Sequence, residues 1–273
     1  MNVGNAGNAE TVEADRYHLA LTELLMQLAD DDLVVATRAG EWLGLAPHLE
    51  EDVAFSSIAQ DEMGHAATYF SLLATIHGGD RDDLAHLRPA LARRNSVMLE
   101  RPNGHGTYRD APHFDWAYAL ARHFLYDMLE LARLDRVVQS AHRPLAEAGA
   151  KIRREERYHN QHHAMWLRDI ARSGPEYARR LQVALDQAAA DAGDLASAGP
   201  MAADMEAFGL LPDTSHLADD WRARVVQALD PLGWSLPPLR GTLNGRHGEH
   251  TQDLAVLLRD LGEVYRSSPG ASW

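Results

Sequence analysis

The chain has 273 residues, a formal net charge of −14 and no cysteine. That length supports one large domain or two modest ones without disulfide staples, and the missing thiols exclude thiolate catalysis and cysteine-held zinc or iron–sulfur centres. The acidic balance argues against nucleic acid or an anionic membrane as partner, and no apolar run reaches the roughly 18–20 residues of a membrane span, so a cytoplasmic protein is expected.

Residues 1–15, MNVGNAGNAETVEAD, lack the basic and apolar stretches of a signal peptide and read as a disordered tail. One helical domain is expected over 16–273, with a core bundle over about 16–173 and a helical extension over about 176–273. From Arg16 to about Leu45, Leu21, Leu24, Leu25, Leu28 and Leu33 recur at helical spacing. Gly44 can end this helix and Pro47 can open the next, which runs from about Leu49 to Ile76 and stops at the glycines of HGGD. The stretch RPNGHGTYRDAPHFD, 101–115, reads as a loop broken by Gly104 and Gly106. A third helix is predicted from about Phe114 to Ser140, and Pro144 marks the turn into a fourth that ends near SGP at 173–175. Further helices fill 176–230 and 247–266, separated by DPLGWSLPPL. The chain contains no strand-like alternation, fixed-period repeat, phosphate-cradling glycine loop or Gly-x-Ser-x-Gly elbow. The predicted class is all-α, with four long helices paired as two antiparallel hairpins.

Two motifs stand out. QDEMGH at 60–65 and EERYH at 155–159 each carry a Glu followed three residues later by a His: Glu62 with His65, and Glu156 with His159. Positions i and i+3 share one helix face, so each pair can hold a metal ion from one side. Dinuclear carboxylate bundles use two such pairs, plus one carboxylate from each of two further helices. Hard carboxylates bridge and stabilise oxidised metals, while imidazoles cap them; these ligand types suit iron and manganese alike. Antiparallel pairing places Asp32, in the run Asp30–Asp32, at the height of Glu62. It places Asp127, with Glu130 one turn further on, near the height of Glu156. Glu41 of GEWLG lies about 13 Å along the helix from Asp32, at ~1.5 Å per residue, and belongs to the bundle end.

A single Glu-x-x-His on a helix is ordinarily a solvated face. Two of them, each with an acid at the matching height, favour a metal site. Asp127 sits among Phe124, Leu125, Tyr126, Met128 and Leu129, where an unpaired carboxylate is costly to bury. Glu156 lies in the charged run RREER, which keeps a surface reading open for it. His162 and His163 read as polar face or outer support, and HGEH at 247–250 as a helix start with solvated histidines.

QDEMGH and EERYH, with LAPHLEEDVA between the first two helices, resemble the ferritin-like subunits of bacterial phenylacetyl-CoA epoxidase, a multicomponent oxygenase of phenylacetate degradation. GEWLG, RPNGHG and the ending RHGEHTQDLAVLLRDLGEVYRSSPGASW make the chain most similar to the shorter, structural type of subunit, from about residue 20 to the C-terminus. The resemblance implies a ferritin-like four-helix bundle. Shorter members can lack metal ligands and act as a scaffold for the catalytic subunit, whereas this chain keeps the set. Carried over, the catalytic pattern falls on Asp32, Glu62, His65, Asp127, Glu156 and His159, and it favours Asp127 over Glu130. Asp32 is shorter than the Glu more usual in such bundles. The implied roles are bridging and catalytic for Glu62 and Glu156, capping for His65 and His159, and terminal for Asp32 and Asp127. Two iron ions per chain would insert oxygen into an aromatic acyl-CoA substrate. The implied partners are a homologous ferritin-like oxygenase subunit within an oligomer and a separate reductase, since no flavin, nicotinamide or iron–sulfur motif is present. Two other readings stand beside this one: a non-catalytic scaffold, and an iron-storage or peroxide-scavenging relative, which the long C-terminal extension disfavours.

Overall fold

A computed structural model describes residues 4–268 and 271. In chain order the helices are α1 (Gly4–Gly40), α2 (Leu49–His77), the short α3 (Arg81–His86) and α4 (Val97–Glu100), then α5 (Trp116–Val137) and α6 (Arg143–Arg172). They continue with α7 (Pro175–Ala190), α8 (Ala202–Ala207), α9 (Leu217–Leu229), α10 (Gln252–Leu261) and α11 (Glu263–Ser267). α1 packs on α2 and α5 on α6 as the two expected hairpins, and α2 and α6 meet across the bundle. The architecture is all-α and ferritin-like. No helix among the described residues is long and apolar enough to cross a membrane.

Local chemistry sets several helix ends. Asp115 caps α5 by accepting from the backbone N–H groups of Ala117 and Tyr118. Glu50, Glu51 and Asp52 place negative charge at the positive N-terminus of α2, and Pro144 occupies the first turn of α6, where its missing N–H costs nothing. Three features depart from the sequence reading. α1 begins at Gly4, well before the expected start at Arg16, so helix covers most of the expected tail, while residues 1–3 lie outside the described residues. It also ends at Gly40, and a turn occupies the following positions through Leu45. The segment expected as a loop forms an antiparallel hairpin, β1 (Gly104–Thr107) with β2 (Asp110–Phe114). At Gly106, φ is +79° and a Cβ would lie 2.3 Å from the Ala111 carbonyl oxygen, so the glycine that reads as a breaker is what lets the strands approach.

Burial explains the spacing of the chemistry. α6 buries only a narrow stripe: Leu145, Gly149, Ile152, Glu156, His159, His163 and Leu167. Three of those seven positions are metal-ligating types, inside a helix whose other faces are polar. α5 is enclosed nearly all round, because α7 and α9 pack on it in addition to α6. The fully buried Trp221 of α9 donates its Nε1–H to the Leu125 carbonyl at 3.0 Å, tying the C-terminal extension to the middle of α5.

The three consecutive acids of α1 are all buried, yet helical geometry turns successive residues about 100° apart. Asp30 accepts from Arg88 and Arg93 at 2.9–3.0 Å. Asp31 accepts from Arg133 at 2.7 Å and from Arg246 at 2.9 and 2.8 Å. Asp32 alone faces the other motif residues.

Candidate metal centre

α2 and α6 bring the two Glu-x-x-His motifs together. His65 Nδ1 lies 3.6 Å from Glu62 and 3.4 Å from Glu156, while His159 Nδ1 lies 3.0 Å from Glu156 and 3.4 Å from Glu62. Both carboxylates are fully buried, so Glu156 does not take the surface position its charged neighbours suggest. The outer nitrogens are held reciprocally. His65 Nε2 pairs with Glu155 at 2.9 Å, and His159 Nε2 with Asp61 at 3.3 Å. Each supporting acid immediately precedes the motif glutamate of the opposite helix, an arrangement that fixes ring orientation and raises imidazole basicity.

Asp32 of α1 completes one face. Its Oδ1 accepts from the Tyr126 hydroxyl at 2.5 Å. Ligand atoms of Asp32, Glu62 and His65 lie within 4.8 Å of one another, as do those of Glu62, Glu156 and His159, so Glu62 belongs to both groups. Asp127 stands beside these two groups, close enough to feel Glu156 and Glu62, but falls in a third with His123 and His163, and its Oδ2 is 2.6 Å from His163 Nδ1. Glu130, the other α5 acid, is engaged through Oε2 by Arg133. His162 pairs with Glu51 at 3.1 Å and supports the periphery, whereas His163 is fully buried. At the far end of α1, Glu41 accepts from Arg38 and Asn103, away from this cluster.

Sequence reading missed Asp61, Glu155, Tyr126 and His123. The signal for the first two was present, because both motifs carry an acid directly before the glutamate. His123 lies one turn before Asp127, at i and i+4, and no pattern separates it from other helical histidines.

The electrostatics follow from crowding acids and imidazoles in a dry space. Burial opposes charge on His65 and His159, but Glu156 and Glu62 override it and push both rings up to about 12. Burial would raise Glu156, yet His159 and His65 hold it down at about 2. Asp32 is raised well above the carboxylate range by burial and by Glu130 and Glu62; Asp127 is raised by burial and by Glu156. Burial, with His163 beside it, keeps His123 neutral, and burial likewise lowers His163 to about 3.

These residues fit a cation pair. Asp32 Oδ2, both Glu62 oxygens, Glu156 Oε2 and His65 Nδ1 are buried without a hydrogen-bond partner. Each such atom costs about 1–3 kcal/mol. Five gathered at one place are an expensive feature for a structural core, and cations would satisfy them together. Two surface cavities near the β1–β2 hairpin, of about 480 and 580 Å³, include none of the ligand residues.

The chain matches the family model described as phenylacetic acid catabolic protein over residues 1–273. It is 29% identical over 255 residues to the C subunit of the 1,2-phenylacetyl-CoA epoxidase of Escherichia coli (strain K12), covering 93% of this chain and 99% of that protein.

Proposed function

The chain belongs to the phenylacetic acid catabolic protein family, and from that premise we propose that it is a metal-bearing subunit of a multicomponent oxygenase acting on an aromatic acyl-CoA such as phenylacetyl-CoA. Its role in phenylacetate degradation follows from the family and from the likeness to an epoxidase subunit. The observation that carries the metal-bearing reading is the buried, unpartnered donor set on Asp32, Glu62, His65 and Glu156, closed by His159.

In this reading Glu62 and Glu156, facing each other from α2 and α6, would together hold two iron ions, with manganese served by the same donors. His65 and His159 would be the imidazole ligands, Asp32 a carboxylate ligand from α1, and Asp127 would offer its free Oδ1 from α5. When bound, the metal pair supplies the dioxygen chemistry that places one oxygen atom on an aromatic ring. The protein's own residues do the rest. Glu155 and Asp61 aim the imidazoles, and Tyr126 restrains Asp32. Buried Tyr69, close to Asp32 and Glu156, and buried Phe55, against His163, help keep water from the carboxylates. Electrons come from a separate reductase, and a homologous ferritin-like subunit is the partner. Leu43, Leu49 and Val53, each at least 60% exposed around the α1–α2 turn, support such a protein contact and equally a scaffold role.

The test is metal content by mass spectrometry of protein grown with iron, beside the Glu62→Ala/Glu156→Ala variant. The proposed reading expects two fewer ions per chain in the variant, together with loss of acyl-CoA turnover by the reconstituted complex. Metal-free wild-type protein that still supports turnover by its partner selects the scaffold.

A further inference from the structure

A second cluster of ligand types lies beside the dinuclear site, and the dinuclear reading does not use its histidines. His123 and Asp127 are one turn apart on α5, and His163 stands one turn beyond His159 on α6. All three are fully buried, and their ligand atoms lie within 4.8 Å of one another. The two imidazoles stack with centroids 5.0 Å apart and planes at 29°. Phe55 sets its ring against both, at 4.8 and 5.5 Å, closing the cluster with an apolar wall.

The hydrogen bonding inside this cluster is incomplete. The one bond joins His163 Nδ1 to Asp127 Oδ2 at 2.6 Å. Both nitrogens of His123, His163 Nε2 and Asp127 Oδ1 are buried with no partner. A buried neutral imidazole ordinarily donates one N–H and accepts at the other nitrogen. Leaving both unmet on His123 costs about 1–3 kcal/mol for each, with no packing gain that a phenyl ring would not also provide.

We propose that His123, Asp127 and His163 form a third metal site, taking a single divalent transition-metal ion. Two imidazoles and one carboxylate from two rigid helices are a ligand set for zinc, cobalt, ferrous iron or manganese, with coordination positions left for water. The ion takes the place of the proton shared between His163 and Asp127 and gives His123 the partner it lacks. Asp127 carries two oxygens, so it serves this ion while remaining available to its dinuclear neighbour. The inference goes beyond the proposed function and stands without it.

The test uses the full-length chain, stripped with chelator and titrated with Co²⁺ while its visible absorption is followed. The Glu62→Gln/Glu156→Gln variant isolates the third site. It should bind one Co²⁺ per chain, and adding His123→Gln should weaken that binding at least 100-fold, with far-ultraviolet circular dichroism unchanged. Should the triple variant fail to fold, X-ray absorption of the zinc-loaded Glu62→Gln/Glu156→Gln protein decides: two imidazoles per zinc support the site, and one or none overturns it. No bound Co²⁺ in the Glu62→Gln/Glu156→Gln variant, or binding indifferent to His123→Gln, also overturns it. Equal Co²⁺ stoichiometry in wild type and the Glu62→Gln/Glu156→Gln variant would count instead against the dinuclear reading.

Discussion

Glu155 on α6 reaches across the bundle to the outer nitrogen of His65 on α2, at 2.9 Å, and Asp61 on α2 returns the contact to His159 at 3.3 Å. Each hairpin therefore orients the other's imidazole. Glu155 and Asp61 are partly exposed, at 36% and 50%, so removing either should disturb ligand orientation more than folding. Glu155→Ala and Asp61→Ala should each lower metal affinity roughly 10–100-fold, while changing unfolding free energy by less than about 1 kcal/mol. Competition with a chromophoric chelator measures the first and urea titration the second. Unchanged affinity in both variants would remove the supporting role.

Tyr126 offers a sharper separation of structure from metal binding. Its hydroxyl is the donor to Asp32 Oδ1, and Asp32 Oδ2 already lacks a partner. Tyr126→Phe should destabilise the metal-free chain by about 1–3 kcal/mol, because a buried acceptor is left bare. Metal loading should shrink that deficit, since a cation satisfies the same carboxylate. A deficit of equal size with and without metal would mean that Asp32 is no ligand.

The two hairpins and the meeting of Glu62, His65, Glu156 and His159 were legible in the sequence because helical period and antiparallel pairing are local rules. Asp32 was legible for the same reason, although its neighbours Asp30 and Asp31 look identical in sequence. What separates the three is the approach of Arg88, Arg93, Arg133 and Arg246, which lie 58 to 215 positions from the acids they bind and follow no period. Asp127 shows the limit: its height along α5 could be estimated, but not its bond to His163. The hairpin at 104–114 was missed because glycines that signal a loop also permit close strand pairing.

Arg246 tests the separateness of the structural acids. It is fully buried in the C-terminal segment and donates to both oxygens of Asp31 at 2.9 and 2.8 Å. Arg246→Met leaves Asp31 with Arg133 as its one cation and the Ser96 backbone N–H as its other donor inside the core. Breaking a buried pair from one side costs about 3–5 kcal/mol, and urea unfolding should show a loss of that order. Metal stoichiometry should stay the same, because Asp31 points away from the ligand cluster. A loss of bound metal in a still-folded variant would show that the acids of α1 act as one unit.

The metal-free chain should also carry a pH signature. His65 and His159 are raised to about 12 from an ordinary 6.5, so their contribution is fully present below about pH 6.5 and fades as pH climbs toward 12. Glu156 is lowered to about 2 from 4.5, so its contribution is present above about pH 4.5 and fades as pH falls toward 2. The stabilisation from this cluster should therefore peak between about pH 4.5 and 6.5 in metal-free protein and decline on both sides. Metal reverses the alkaline arm. A bound cation needs neutral imidazoles and must displace their protons, so affinity rises with pH and loading near pH 7 releases protons. Urea titration of stripped protein across pH follows the first effect, and a weakly buffered indicator dye follows the second. Metal uptake without proton release would mean that the imidazoles are neutral before the ion arrives, and the inward-facing Glu62 and Glu156 would then not be charging them.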